Sequence, residues 1–258
     1  MNDDFGDRMK TYEMAEAGRH LMPLLPAIAR LDGRCFSSFT RGLLRPFDAL
    51  FSQCMFNTTL HLVKETNACC GYTQSDEITL AWLSDSFKSQ IWFDGRIQKM
   101  VSVLAATASV EFNRQVALLL PAKKDLRPVF DCRVWNVPNV VEGANCFLWR
   151  EQDATKNSVS MAARPVHSHK ELVDQDAKGI NWNDDPDYFK RGSYVQRKVV
   201  KRKFTPNELL DLPPMHEARK NPDLEVERTV YDVVNMPKFS SVTNRPDVIF
   251  RGAELIVN

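Results

Sequence analysis

The chain has 258 residues, 43% of them hydrophobic and 26% charged, which is enough to bury a sizeable core and excludes disorder on a large scale. A formal net charge of +1 and a pI near 7.6 exert no global pull on nucleic acid, so any basic site has to come from local clustering. The six cysteines (Cys35, Cys54, Cys69, Cys70, Cys132 and Cys146) lack CxxC spacing; together with the polar start "MNDDFGDRMK" and the absence of a long apolar run, they predict reduced thiols in a cytoplasmic protein that is neither secreted nor membrane-inserted.

In chain order, "GDRMKTYEMAEAG" reads as an amphipathic helix and "LLPAIARLDG" as a short apolar strand that ends in a turn at Asp32 and Gly33. "PFDALFSQCMFNTTLHLVKET" places Phe47, Leu50, Phe51, Cys54 and Met55 on one side of a helix. A hairpin follows, with strands Ala68 to Thr73 and Ile78 to Trp82 and a turn around Ser75 and Asp76. Residues 91–119 return to helical periodicity, and "LRPVFDCRVWNVP" alternates as a fourth strand closed by Pro138.

Strand, helix, strand, strand, helix, strand is the split βαβ order of an α+β, ferredoxin-like fold: a four-stranded antiparallel sheet with both helices on one face. A further helix, "VVEGANCFLWREQDATKNSVSMAA", is expected to pack on the same core. Beyond Val166 the composition turns polar, with short β-like pieces. The sequence is therefore divided into a catalytic unit over residues 1–195 and an extension over residues 196–258 that contains the basic run "QRKVVKRKF".

In such a sheet the first strand and the second strand of the hairpin are central neighbours, so Asp32 and Asp76 should meet. Either aspartate alone would suit a turn, but two carboxylates at adjacent strand ends repel unless a cation lies between them, and hard oxygen ligands suit magnesium. The Gly33 carbonyl could approach the same ion. Two ions about 4 Å apart could activate a hydroxyl and stabilise a leaving pyrophosphate. Arg30, Arg34, Arg41, Arg45, Arg96 and Lys99, with Lys190 and Arg191 of "FKRGSYV", are the candidate phosphate donors.

The segments "RLDGRCFSSFT", "RPFD", "GYTQSDEITLAW", "FDCRVWNVPN" and "FLWREQDATKNSVSMAA", in this order, resemble the tRNA(His) guanylyltransferase family and its bacterial-type 3′-5′ RNA polymerase relatives over residues 6–195. The resemblance implies a polymerase palm, and two magnesium ions held by Asp32, Gly33 and Asp76, with Asp32 and Asp76 catalytic. It implies ATP, GTP or other nucleoside triphosphates beside Ser75 and Glu77, and the expected nucleotide-binding set is completed by Arg30, Arg34, Cys35, Phe36, Arg45, Arg96, Lys99, Lys190 and Arg191. It also implies tRNA as substrate and a homo-oligomer, dimer or tetramer. RNA contact is assigned to Asn157 and to Arg197, Lys198, Lys201 and Arg202, although a charged edge strand would carry the same basic run.

One departure bears on specificity. The tRNA(His)-specific enzymes carry "HINN" where this chain has "DATKNSVS", so Asn157 remains but the histidine position falls near Thr155. That favours templated repair of 5′-truncated tRNA over tRNA(His)-specific guanylation. The alternatives are a palm-fold nucleotide cyclase, whose "GG[DE]EF"-like turn does not match "QSDEI", and a non-catalytic RNA-binding protein. His167 and His169 have a spacing that could chelate a metal, but no Cys or carboxylate partner accompanies them.

Overall fold

The computed structural model describes residues 4–163, 182–221 and 223–258. His167 and His169 lie outside the described residues. Six strands form one sheet in the order β4-β1-β3-β2-β5-β6, every neighbour antiparallel: β1 Ala27–Gly33, β2 Cys70–Gln74, β3 Glu77–Trp82, β4 Phe130–Asn136, β5 Ser193–Lys203 and β6 Glu225–Val234. The first four have the expected split βαβ order.

The helices are α1 Asp4–Ala17, α2 Phe36–Phe39, α3 Ala49–Thr66, α4 Ile97–Leu119, α5 Val140–Ala163, α6 Asp187–Arg191, α7 Pro206–Asp211, α8 Glu217–Lys220 and α9 Arg245–Arg251. Asp48 caps α3 by accepting from the backbone N–H groups of Leu50 and Phe51. None of the described helices is long and apolar enough to cross a membrane. All six cysteines are free, and burial pushes the Cys54 and Cys132 thiols up to about 12, so they are inert packing groups.

Strand alternation separates two cores. Ala27, Ala29 and Leu31 of β1, with Ile78, Leu80 and Trp82 of β3, face α3 and α4 and pack against Met55, Leu62, Leu104 and Phe112. At one end of this core five rings, Phe36, Phe39, Phe51, Phe112 and Phe130, nest with contacting centroids 5.1–6.3 Å apart. They anchor the turn that follows β1.

The other face of the sheet carries Ile28, Tyr72, Ala81 and Tyr194, covered by Phe147 of α5 and by Phe239, Ile249 and Phe250 from the C-terminal segment. This corrects the expectation that α5 shares the core of α3 and α4. Its buried stripe of Ala144, Phe147, Glu151, Ala154 and Ser158 meets the opposite face. Glu151 is a buried polar link in this layer, accepting from the Phe239 backbone N–H at 2.7 Å and from the Tyr194 hydroxyl at 3.1 Å. Burial pushes its carboxyl above the usual range, while those two donors pull the other way.

The division expected after Val195 falls inside β5. Residues Ser193–Gln196 pair with Cys70–Thr73 of β2, and Gln196 donates from its buried amide to the carbonyls of Val248 and Ala253. The extension therefore completes the sheet and the second core. Past Gln196, β5 and β6 continue as a two-stranded ribbon, Arg197–Lys203 against Glu225–Tyr231.

Candidate active site

The carboxylates meet where β1 ends and β3 begins, because the β2–β3 turn folds back over the β1 terminus. The Gly33 N–H donates to the Asp76 carbonyl at 3.1 Å, and Asp32 is the register partner of Glu77. Ser75 takes a positive φ of 53° to close the turn, and its hydroxyl donates to the Asp76 carboxylate at 3.1 Å. Gly33 is required sterically: a Cβ there would lie 2.4 Å from the Phe36 ring, so only glycine lets the Phe nest press against the strand end. Phe36 and Cys35 were expected beside the nucleotide. Phe36 is a core residue that only borders the site, and Cys35 is an exposed left-handed turn residue with φ 58°.

Desolvation raises the Asp76 carboxyl above its usual value, with Asp32 and Glu77 adding repulsion. Among the described residues neither Asp32 nor Asp76 has a Lys or Arg within ion-pair distance, whereas Glu77 is claimed by Arg150 of α5 at 2.7 Å. Arg150 also holds Asp153 at 2.9 Å. On the α5 face of the sheet the register aligns Asp131, Asp32 and Glu77 across β4, β1 and β3. No described group of three or more His, Cys, Asp or Glu side chains is arranged to hold a metal by itself. Two carboxylates and the Gly33 carbonyl nevertheless fit magnesium, which completes its shell from water and phosphate oxygens.

Beside Asp76 opens a groove of about 320 Å³, lined by Arg45, Gln74, Ser75, Asn157 and Met161. A cavity of about 100 Å³ continues from it toward Phe47, Tyr188 and Phe189. Asn157, expected to contact RNA, thus borders the same groove as Arg45 and Ser75. Arg34 is exposed beside Gly33 and donates its backbone N–H to Val129.

Other expected donors are engaged or distant. Lys190 is nearly buried and bonded to the Asn183 carbonyl at 2.9 Å, and Arg191 pairs with Asp187, so each is held within or close to α6. Arg96 caps α4 and Lys99 lies in its first turn, at the opposite end of the sheet, where the Arg96 backbone pairs with that of His20 and Lys99 lies over Phe93. The span of β1 from Ala27 to Asp32, about 17 Å at the usual rise, separates them from Asp32. Their distance follows from chain direction: β3 begins at the site and ends at Trp82, so a helix entered after β3 starts at the far end.

The basic run is largely neutralised within the chain. Lys198 meets Asp232 and Glu254, Lys201 meets Glu227, and Arg202 shares Glu208 with Arg228. Those contacts hold the Glu208 carboxyl well below its usual value. Arg197 points to Cys69 and borders a cavity of about 660 Å³ by Trp82, at the end remote from the carboxylates. These in-chain pairs fit the charged-strand reading of this run. Arg150, Trp149 and Asp131 were not singled out from sequence, although the alternation of "FDCRVW" places Asp131 and Arg133 on one face of a strand.

The profile of the family described as Thg1, tRNAHis guanylyltransferase, matches residues 6–138. Two solved structures are similar along nearly the whole chain. One, a bacterial tRNA(His) guanylyltransferase (Thg1)-like protein in complex with ATP, is 31% identical, with a TM-score of 0.74, over 95% of this chain and 97% of that one. The other, a bacterial Thg1-like protein in complex with GTP, is 30% identical, with a TM-score of 0.73 and the same coverage. An uncharacterized protein of Acanthamoeba polyphaga mimivirus is 29% identical over 242 residues, covering 81% of this chain and 82% of its own.

Proposed function

This chain belongs to the tRNA(His) guanylyltransferase family, whose members are nucleotidyltransferases, and from that premise we propose that it adds nucleotides to the 5′ end of tRNA in the 3′-5′ direction, using magnesium held at Asp32 and Asp76. The observation that carries this reading is the meeting of two carboxylates without cation partners, joined through the Gly33–Asp76 backbone bond, beside a groove of mononucleotide size. When bound, magnesium activates an attacking hydroxyl and stabilises a departing pyrophosphate. The chain's own residues position the reactants. Asp32, Asp76 and the Gly33 carbonyl would hold the magnesium that draws in the reacting phosphates, while Arg45, Ser75 and Asn157 face the triphosphate groove. Glu77 stays tied to Arg150 and out of that coordination. ATP and GTP are the proposed nucleotides because the solved relatives are described as their complexes.

We extend the proposal to templated repair of 5′-truncated tRNA by a cytoplasmic homo-oligomer. Thr155 stands near the position of the "HINN" histidine, and its hydroxyl donates to the Glu151 carbonyl of its own helix at 2.9 Å. It offers no ring and no free donor for reading a particular base, which leaves base choice to pairing with the opposite strand of the acceptor stem. The test is incubation with tRNA lacking its first nucleotide, the opposing residue varied through all four bases, with and without magnesium. Incorporation should follow the complementary base and stop without the ion. Guanosine added whatever the opposing base would instead establish tRNA(His)-type guanylation.

A further inference from the structure

The carboxylate row has two unlike flanks. Toward β2 lies the concave groove of Arg45, Ser75 and Asn157, sized for a mononucleotide. Toward β4 the sheet is open, with Asp131 and Arg133 exposed. Trp149 stands at that border. It is off the buried stripe of α5 and 53% exposed, so packing does not explain a tryptophan there. Its ring is nevertheless held, with the Arg150 guanidinium 4.6 Å and the Arg30 guanidinium 5.5 Å from its centroid. Arg30 lies two residues before Asp32 on the same sheet face and directly opposite Arg133, a like-charged cross-strand pair that an anion would relieve. Arg133 reaches Asp131 at 3.6 Å, while Arg30 has no carboxylate within ion-pair distance among the described residues.

We propose that this open flank receives the reacting end of the RNA, with its terminal base stacked on the Trp149 indole and its phosphate facing Arg30 and Arg133. The inference rests on the nucleotidyl-transfer reading above. Two substrates must meet at one pair of carboxylates. The concave groove is of a size for a free nucleotide, and the uncovered face beside it leaves room for a polymer. Aromatic and guanidinium planes are the usual platforms for unpaired bases, and positive charge beside them takes the backbone.

The test compares wild type with the full-length variants Trp149→Ala and Trp149→Phe. Michaelis constants are measured separately for 5′-truncated tRNA and for the nucleoside triphosphate, together with the fluorescence of a tRNA carrying 2-aminopurine at its 5′-terminal position. Trp149→Ala should raise the RNA constant about tenfold or more, leave the nucleotide constant within about twofold, and abolish the quenching seen with wild type. Trp149→Phe should restore most of both RNA readouts. An RNA constant and quenching unaltered in Trp149→Ala would overturn the proposal. So would a rise confined to the nucleotide constant, which would put the indole on the other substrate. A wild-type protein that transfers no nucleotide to any RNA would overturn the underlying reading as well, whereas transfer that is indifferent to Trp149 removes this inference alone.

Discussion

The Arg150 guanidinium lies 2.7 Å from the Glu77 carboxylate, tying the middle of α5 to the strand that starts beside Asp76. The Arg150 side chain is only 10% exposed, so this is an ion pair with most of its solvent removed. Breaking such a pair leaves a buried charge uncompensated, which typically costs about 3–5 kcal/mol. Here Glu77 and Asp153 would both lose their cation, next to two carboxylates that already lack one.

Arg150→Met is therefore expected to destabilise the protein by about 3 kcal/mol, measured by denaturant unfolding, and Arg150→Met combined with Glu77→Gln should recover part of the loss. A single variant as stable as wild type would show that the pair contributes nothing to holding α5 on the sheet.

Replacing Asp32 or Asp76 by Ala should lower nucleotide transfer by about 10³-fold or more while the fold survives. Metal-assisted charge stabilisation is worth several kcal/mol, and removing one of two repelling carboxylates relieves strain in the ion-free protein. Near-normal single-turnover rates in either variant would displace the site from these residues.

Asp76 also makes a pH prediction. Its folded carboxyl is raised, chiefly by desolvation, so just above the ordinary carboxylate range the native state binds more protons than the unfolded chain. Its contribution to stability is therefore greatest at low pH and declines as pH rises through the raised value. In chelator at neutral pH, Asp76→Asn should melt above wild type, and the gap should close as the pH falls below the ordinary carboxylate range. Added magnesium should narrow the neutral-pH gap by favouring the charged wild-type site. A gap that does not depend on pH would point to packing instead.

Arg45 and Arg191 should separate cleanly. Arg45 is exposed on the groove wall, whereas Arg191 is occupied by Asp187 and gives its carbonyl to the Tyr72 hydroxyl at 2.9 Å. Arg45→Ala is expected to raise the nucleotide Michaelis constant about tenfold, and Arg191→Ala to lower thermal stability with a smaller kinetic effect. The reverse ranking would make Arg191 the phosphate donor.

The approach of Asp32 and Asp76 was legible because split βαβ order makes their strands neighbours, whatever the side chains do. The bounds of α5, Val140–Ala163, could also be read from its periodicity. Its side of the sheet could not, since the stripe of Ala144, Phe147 and Ala154 is equally suited to either face. β5 was legible as a β-like piece, "SYVQRKVVKRKF", but its place in the sheet was not, for a related reason. Beyond Gln196 its residues alternate between exposed and half-buried as an edge ribbon, and only the short stretch through Val195 carries the signature of an interior strand. Phosphate donors, chosen by charge and for Arg191 by the glycine that follows it, were the least legible, because Arg96, Lys190 and Arg191 differ from Arg45 in where the chain carries them and in whether an acidic neighbour is already bound.

The Phe239 N–H that closes on Glu151 belongs to a segment made long after α5 has left the ribosome. Until that segment emerges, Phe147 and the buried Glu151 have neither their apolar cover nor their full set of donors. The first four strands can assemble early, since α3, α4 and their core precede it in the chain, but α5 cannot yet be seated on the other face. Domains generally fold during synthesis as their contacts become available. A nascent chain would thus carry both aspartates in place while α5, and with it Asn157, still lacks its cover, and chemistry would wait until the Phe239 segment has emerged.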